Sequence, residues 1–437
     1  MLTPAFDVGH ALDEGRWTAY QKSLVAMAAL TILFDGIDNQ LLGVTIPSLM
    51  REWGLARAAF APVASLSLFG MMIGGAIAGI AGDRFGRRRI LFVSMTVFGV
   101  CTLAVATVHG VRALAALRFI TGLGLGGAIP NATALAAEYV PRSRRALAVT
   151  LTIVCVPLGA SLAGLISTPL VPAIGWRGLF IAGGISPLII AAALYPVLPE
   201  SPRYLARHRD RWDELAALLR RMGHTLEQSS AFSDEAASAS RGRVADLFRN
   251  GYAADTILLW IAFFSCLVAI YLGFNWLPSV VAGAGLARVS STSVGVFNLG
   301  GVAGALGGGV VITRYGSRWT MLGMAAGAAA GCLFLSRLPL DAHTSVFTLL
   351  AALTFAGGLI NALQSTLYAL AGHVYPTGVR ATGIGASASF GRIGAVLSGY
   401  AGPWALGYGG TPSFFLLMGA SVFVTMLALT AVRRHVQ

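Results

Sequence analysis

Twelve long apolar runs, separated mostly by short polar intervals, account for most of this 437-residue chain. They lie at about 23–43, 62–81, 90–108, 111–136, 146–170 and 179–198, then at 256–282, 289–312, 319–336, 344–371, 381–406 and 412–432. Each approaches the roughly 20 residues a helix needs to cross a hydrocarbon core about 30 Å thick. The pattern predicts an all-α polytopic membrane protein of twelve transmembrane helices, with the lipid bilayer as its surroundings. Residues 1–22 form a tail, 23–198 the first six-helix half, 256–432 the second, and 433–437 a closing tail. The segment 199–255 between the halves is the one long polar stretch. Within it, 211–222 patterns as an amphipathic helix suited to a membrane surface, and 229–243, rich in Ser and Ala, is expected to be mobile.

Composition narrows the class. Hydrophobic residues make up 56% of the chain and charged residues 11%, against about 25% charged in a soluble domain. An ordinary soluble enzyme is excluded. The 54 glycines suit membrane helices that approach closely through small side chains. The net charge of +13 suggests a nucleic-acid partner only until its distribution is read. Of 31 basic residues, 23 fall in segments that lie on the side of the termini, 6 in the opposite loops, and two, Arg118 and Arg392, inside helices. That asymmetry follows the positive-inside rule and places both termini in the cytoplasm. A multi-pass protein of a bacterial inner membrane is expected, with no nucleic-acid partner.

The four cysteines, Cys101, Cys155, Cys266 and Cys332, all stand in apolar spans without metal-ligand spacing. They are expected to be packing residues, with no metal site. Asp7, Asp13 and Glu14 precede the first span, so no cleavable signal peptide is read there. No nucleophile–base set or phosphate loop appears, and no enzyme is expected.

The halves repeat. Glu138, Pro141 and Arg145 align with His373, Pro376 and Arg380 at an offset of 235. Asp83-Arg84-Phe85-Gly86-Arg87-Arg88 aligns with Thr313-Arg314-Tyr315-Gly316-Ser317-Arg318 at an offset of 230. A repeat about the membrane normal is the architecture of transporters that bind substrate between two halves at mid-membrane.

Four charges stand deep inside the spans: Asp35, Asp38, Arg118 and Arg392. Each is costly there unless paired or hydrated. Asp35 and Asp38 are three residues apart and share a helical face with Asn39. Two carboxylates so close do not both ionise readily, which suits proton carriage. Counting rise per residue puts either Asp at the height of Arg118. The pair is read as proton-coupling, or alternatively as a fixed tie between helices one and four. Arg392 is a candidate clamp for a substrate carboxylate, since a guanidinium offers two parallel hydrogen bonds. Bonding to a neighbouring helix competes with that reading.

Gly82-Asp83-Arg84-Phe85-Gly86-Arg87-Arg88-Arg89 resembles the signature loop of the major facilitator superfamily. Arg118-Phe119-Ile120-Thr121-Gly122 and Pro199-Glu200-Ser201-Pro202-Arg203 resemble two further motifs of that superfamily. Asp35-Gly36-Ile37-Asp38, Tyr375-Pro376-Thr377 through Gly383, and Gly391-Arg392-Ile393-Gly394 resemble the aromatic acid:proton symporters. The resemblance implies proton-coupled import of a benzoate or hydroxybenzoate by a monomer, driven by the proton gradient without a cofactor. It further implies a cytoplasmic gate of Asp83, Arg87, Arg88, Glu138, Arg145, Glu200 and Arg203, with Arg314, Arg318, His373 and Arg380 in the second half. Positive-inside anchoring is the competing account of the arginines, though not of Asp83 and Glu138. Thr313 and His373 stand where relatives carry acids, so the second-half gate is less acidic. Pocket candidates on helices one, four, seven and ten are Asn39, Asn131, Tyr271, Asn275, Trp276, Asn361 and Gln364. A proton-antiport exporter and a symporter of sugars or other organic acids are the alternatives. Helix five reads Val156-Pro157-Leu158-Gly159-Ala160-Ser161, without the glycine-rich motif usual in exporters.

Overall fold

A computed structural model describes residues 6–226, 231–233, 244–249, 251–341, 344–375 and 379–435. The first half contains α2 (Ala19–Trp53), α3 (Ala61–Phe85), α4 (Arg87–Val105), α5 (Val111–Glu138) and α6 (Arg145–Leu194), preceded by a short α1 (Val8–Glu14). The central segment carries α7 (Pro202–Ala206) and α8 (Trp212–Arg221). The second half contains α9 (Ala253–Gly283), α10 (Ser290–Tyr315), α11 (Ser317–Arg337), α12 (Val346–Val374) and α13 (Arg380–Ala431). A two-residue parallel bridge, Phe6–Asp7 with Phe232–Ser233, ties the N-terminal tail to the central segment. Among the described residues, ten of these helices are long and apolar enough to cross a membrane.

Ten helices give twelve crossings because two of them double back. The 50 residues of α6 would extend about 75 Å if straight, far beyond a core of about 30 Å. Gly175, at φ 69°, takes the left-handed region that side chains other than glycine avoid, and the chain turns there. Both ends of α6 accordingly lie on the side of the termini. Arg145 at its start pairs with Asp13 of α1, and Tyr195 just past its end packs on Phe92 of α4. Gly410, at φ 65°, turns α13 in the same way. Consecutive residues of α9 then meet distant parts of α13, with Phe264 beside Phe390 and Ser265 bonded to Thr425 at 2.8 Å.

The glycine breaks restate the sequence repeat. Gly86, at φ 102°, ends α3, and Gly316, at φ 76°, ends α10 at the equivalent place, 230 residues on. Gly175 and Gly410 are 235 residues apart, the second offset found in the sequence.

The amphipathic helix in the central segment is present as α8, but not as expected. Leu215, Leu218 and Leu219 are buried against protein, so its apolar face is covered by the chain itself and not by lipid. Most of 229–243, expected to be mobile, lies outside the described residues, as do Pro376 and Thr377.

Candidate functional site

Both oxygens of Asp38 are engaged. Oδ2 accepts from Arg118 Nη1 of α5 at 3.0 Å, and Oδ1 accepts from the Thr102 hydroxyl of α4. Arg118 also donates to Ser67 Oγ of α3 at 3.4 Å. The pair is essentially inaccessible to solvent, so the charges compensate each other where water does not. Of the two aspartates, Asp38 is the one that meets Arg118.

Asp35, one turn earlier on α2, is equally buried, yet neither carboxylate oxygen has a hydrogen-bond partner. The charges of Asp38 and, from the other half, Arg392 lie within electrostatic reach of it. Arg392 reaches across from α13 to α3, where Nη1 donates to the Met71 carbonyl at 3.5 Å. Gly75 makes room for it, since a Cβ there would stand 2.5 Å from Nη1. Tyr271 of α9 feels both Asp35 and Arg392 and lies beside Asn39. Tyr368 of α12 also feels Arg392 and lies beside Gln364, whose Oε1 has no partner. Asp35, Asn39, Tyr271, Gln364, Tyr368 and Arg392 thus form one polar cluster at mid-membrane, drawn from both halves. A guanidinium, two phenols, two amides and an unpartnered carboxyl can grip an anionic ring compound and exchange a proton beside it.

The other pocket candidates are used differently. Asn131 donates to the carbonyls of Ala78 at 3.1 Å and Gly127 at 2.8 Å, tying α5 to α3. Trp276 is fully buried and donates from Nε1 to the Ser398 carbonyl at 3.2 Å, a bond between α9 and α13. Asn361 donates to Gly357 of its own helix at 2.9 Å and packs on Gly301. Asn275 is buried with an unpartnered Nδ2. Sequence reasoning missed Tyr368, which carries no charge in an otherwise aromatic-tolerant span. It also missed Gln40, which donates to the Phe274 carbonyl of α9 at 2.8 Å.

That bond belongs to a seam between the halves, on the side away from the termini. Ser161 donates to the Gly295 carbonyl at 2.8 Å, Thr168 meets Thr292 at 2.9 Å, and Ser65 donates to the Val396 carbonyl at 2.8 Å. Arg57 donates to the Ser279 carbonyl at 2.7 Å. Through these bonds α6 meets α10, α3 meets α13, and the stretch before α3 meets α9.

On the side of the termini, the first-half charges pair with one another. Arg87 bridges Asp83 at 3.0 Å and Glu138 at 2.9 Å. Glu138 also accepts from the Ser201 hydroxyl. Glu200 accepts from the backbone N–H of Arg88 at 3.0 Å and of Ser201 at 2.9 Å, closing the N-terminus of α4. The Arg88 guanidinium donates to the Tyr195 carbonyl at 2.5 Å and lies 4.4 Å over its ring. Asp13, which the sequence reading left without a role here, joins Arg145 and, at 3.4 Å, Arg203.

The second half differs. Among the described residues, Arg314, Arg318, His373 and Arg380 meet no carboxylate. The first three are exposed, and Arg380 donates to the Tyr375 carbonyl at 3.3 Å. Asp255 supplies the acid here. It accepts from the Arg433 N–H at 2.9 Å and faces Arg434 at 3.5 Å, holding the C-terminal tail. Beside it, burial pushes the His435 imidazole below its ordinary value, and its Nδ1 meets the Ser317 hydroxyl at 3.1 Å.

The geometry agrees with what the chain is similar to. It is 35% identical to the gallate transporter of Pseudomonas putida over 97% of this chain and 94% of that one. It is 36% identical to the 4-hydroxybenzoate transporter PcaK of Pseudomonas aeruginosa over 98% of this chain and 95% of that one. The fold matches the xylose transporter XylE of E. coli in its inward-open conformation at a TM-score of 0.74 and 16% identity, over 95% of this chain and 97% of that one. The sequence pattern of the Major Facilitator Superfamily matches residues 28–312 and 287–437. From residue 28 to its last residue, the chain belongs to the Major Facilitator Superfamily.

Proposed function

We propose that this chain imports small aromatic carboxylates together with protons, by alternating access across a bacterial inner membrane, with both termini in the cytoplasm. The observation that carries the reading is the mid-membrane cluster. It holds an arginine from one half, an unpartnered buried carboxyl from the other, and two tyrosines between them. The relatives, transporters of gallate and 4-hydroxybenzoate, support the substrate class. The basic residues gathered on the side of the termini support the orientation.

In this reading Arg392 takes the substrate carboxylate and the tyrosines flank the ring. Asp35 carries the proton, because a buried carboxyl without partners is costly as an anion and sheds that cost by protonation. Asp38 and Arg118 fix helix α2 against α5. The seam away from the termini closes the outer face. The Asp83–Arg87–Glu138 network steadies inner helix ends as the halves rock. The unit is a monomer and the energy source is the proton gradient.

Uptake into proteoliposomes of labelled benzoate, 4-hydroxybenzoate, gallate, xylose and an amino acid tests the proposal. Uphill accumulation of the aromatic acids is expected, collapsing with a protonophore and quickening as external pH falls. Full-rate accumulation with the proton gradient abolished would sink the symport mechanism.

A further inference from the structure

The face away from the termini is poor in charge, as the distribution of basic residues requires. Its arginines are Arg51, Arg57, Arg112, Arg177, Arg288 and Arg337. Three of the six, Arg51, Arg57 and Arg288, converge on one recess of about 510 Å³ between the two halves. That volume falls within the range of about 300–1,000 Å³ usual for small-molecule sites.

Among the described residues, no carboxylate neutralises these three. Arg51 turns back on its own helix, to the Pro47 carbonyl at 3.4 Å and Ser48 Oγ at 3.4 Å. Arg57 donates to the Ser279 carbonyl at 2.7 Å, and among the described residues its buried Nε has no partner. Arg288 is exposed at the rim. The adjacent acid, Glu52, is already committed to Trp176 Nε1 at 2.5 Å and Arg177 at 2.7 Å. The lining is otherwise apolar at Val44, Pro47, Leu55, Val171 and Pro172, and hydroxylic at Ser167, Thr168 and Ser290.

We propose that this recess is a second binding site, a docking vestibule for small organic carboxylates, separate from the mid-membrane cluster. Uncompensated guanidinium groups call for an anion, and the apolar wall beside them calls for an organic one. A carboxylate offers Arg57 a charged acceptor, stronger than the neutral carbonyl of Ser279. An inorganic anion would leave the apolar wall unused. Concentrating anions at this mouth is an electrostatic effect that ionic strength erodes.

Binding of benzoate to the purified full-length chain in neutral detergent, followed by saturation-transfer NMR, tests this in an Arg392→Ala background. The mid-membrane guanidinium is then gone and the vestibule remains. Residual benzoate binding is expected, weakening as salt rises and not shared by benzamide. Substituting Arg51, Arg57 and Arg288 together by Gln should weaken it at least about tenfold, and by Lys should largely spare it. If Arg57→Gln unsettles the seam, the Arg51→Gln and Arg288→Gln pair alone, on exposed side chains, should still show a severalfold loss. The proposal is overturned if residual binding is absent, is equal for benzoate and benzamide, or is untouched by the Gln substitutions. It is also overturned if inorganic phosphate binds more tightly than benzoate. A wild-type chain that binds benzoate in this way yet does not transport it would count against the transport reading alone.

Discussion

Asp38 accepts through both carboxylate oxygens inside the membrane, from Arg118 and from Thr102, whereas the carboxyl of Asp35, one turn away on the same helix, is left with no hydrogen-bond partner. Two carboxyl groups that look interchangeable in the sequence therefore have opposite circumstances. One is a member of a closed network across α2, α4 and α5. The other faces a charge from the opposite half. Their substitutions should fail in different ways.

Asp38→Asn removes the countercharge from a buried guanidinium. Breaking a buried pair by deleting one partner costs about 3–5 kcal/mol. The variant should melt at a clearly lower temperature in detergent, and lose transport along with stability. An unchanged melting temperature would show that Arg118 finds another partner. Asp35→Asn breaks no bond and should melt with the wild type. Its loss should be confined to uphill accumulation, with exchange of substrate down its own gradient retained. Loss of exchange as well would place Asp35 in substrate binding, not in coupling.

Gly75 offers a test of Arg392 that leaves the arginine in place. A methyl group at 75 would stand 2.5 Å from the guanidinium and 3.2 Å from the Gly126 carbonyl. The first neighbour is the end of a flexible side chain, so the helix is expected to fold and the guanidinium to move. Gly75→Ala should weaken benzoate binding by about tenfold, toward the loss expected for Arg392→Ala itself. Gly79→Ala, on the same helix with open space around it, is the control and should bind normally. Equal behaviour of the two variants would mean that the position of Arg392 does not set affinity.

Much of the architecture was legible because a membrane imposes length. Runs of about twenty apolar residues gave the spans. The motif offsets of 230 and 235 reappear in the left-handed glycines that close equivalent turns. Charges in apolar runs were legible too, since each stands out against its surroundings, and the structure joins Asp38 to Arg118 and buries Asp35. Which uncharged side chains face inward was not legible. Lipid and protein interior are both apolar, so a spanning helix carries little periodic contrast between its faces. Hence Trp276 and Asn131, named as ligand contacts, spend their N–H donors on backbone carbonyls, and Tyr368 and Gly75 went unremarked. Asp13 lay hidden for another reason. Nothing in a tail preceding the first span announces that it will fold back onto Arg145 and Arg203.

The network on the side of the termini predicts a kinetic defect. Arg87 is shared between Asp83 and Glu138, and all three lie far from the mid-membrane cluster. Asp83→Asn and Glu138→Gln should slow transport while leaving benzoate affinity on the purified protein unchanged. His373→Ala should do less, since His373 is exposed and meets no carboxylate among the described residues. A matching loss of affinity in the Asp83 and Glu138 variants would tie them to the binding cluster and not to the rocking of the halves.

Arg392 carries the substrate assignment, and its removal separates a clamp from a strut. Among the described residues it makes one long bond, 3.5 Å to the Met71 carbonyl, and it is only partly buried, so its donors are not spent on holding helices together. A structural arginine of this kind would affect all ligands alike. A clamp would not. Losing a charge-assisted hydrogen bond costs about 1.5–3 kcal/mol, or roughly ten- to a hundredfold in affinity. Arg392→Ala should therefore weaken benzoate by that factor and benzamide by much less, because the amide never used the full charge. Affinities of both ligands, measured at high salt to suppress any outer binding, decide the matter. If acid and amide weaken equally, Arg392 is structural, and the tyrosines and amides around it become the first place to look for the carboxylate.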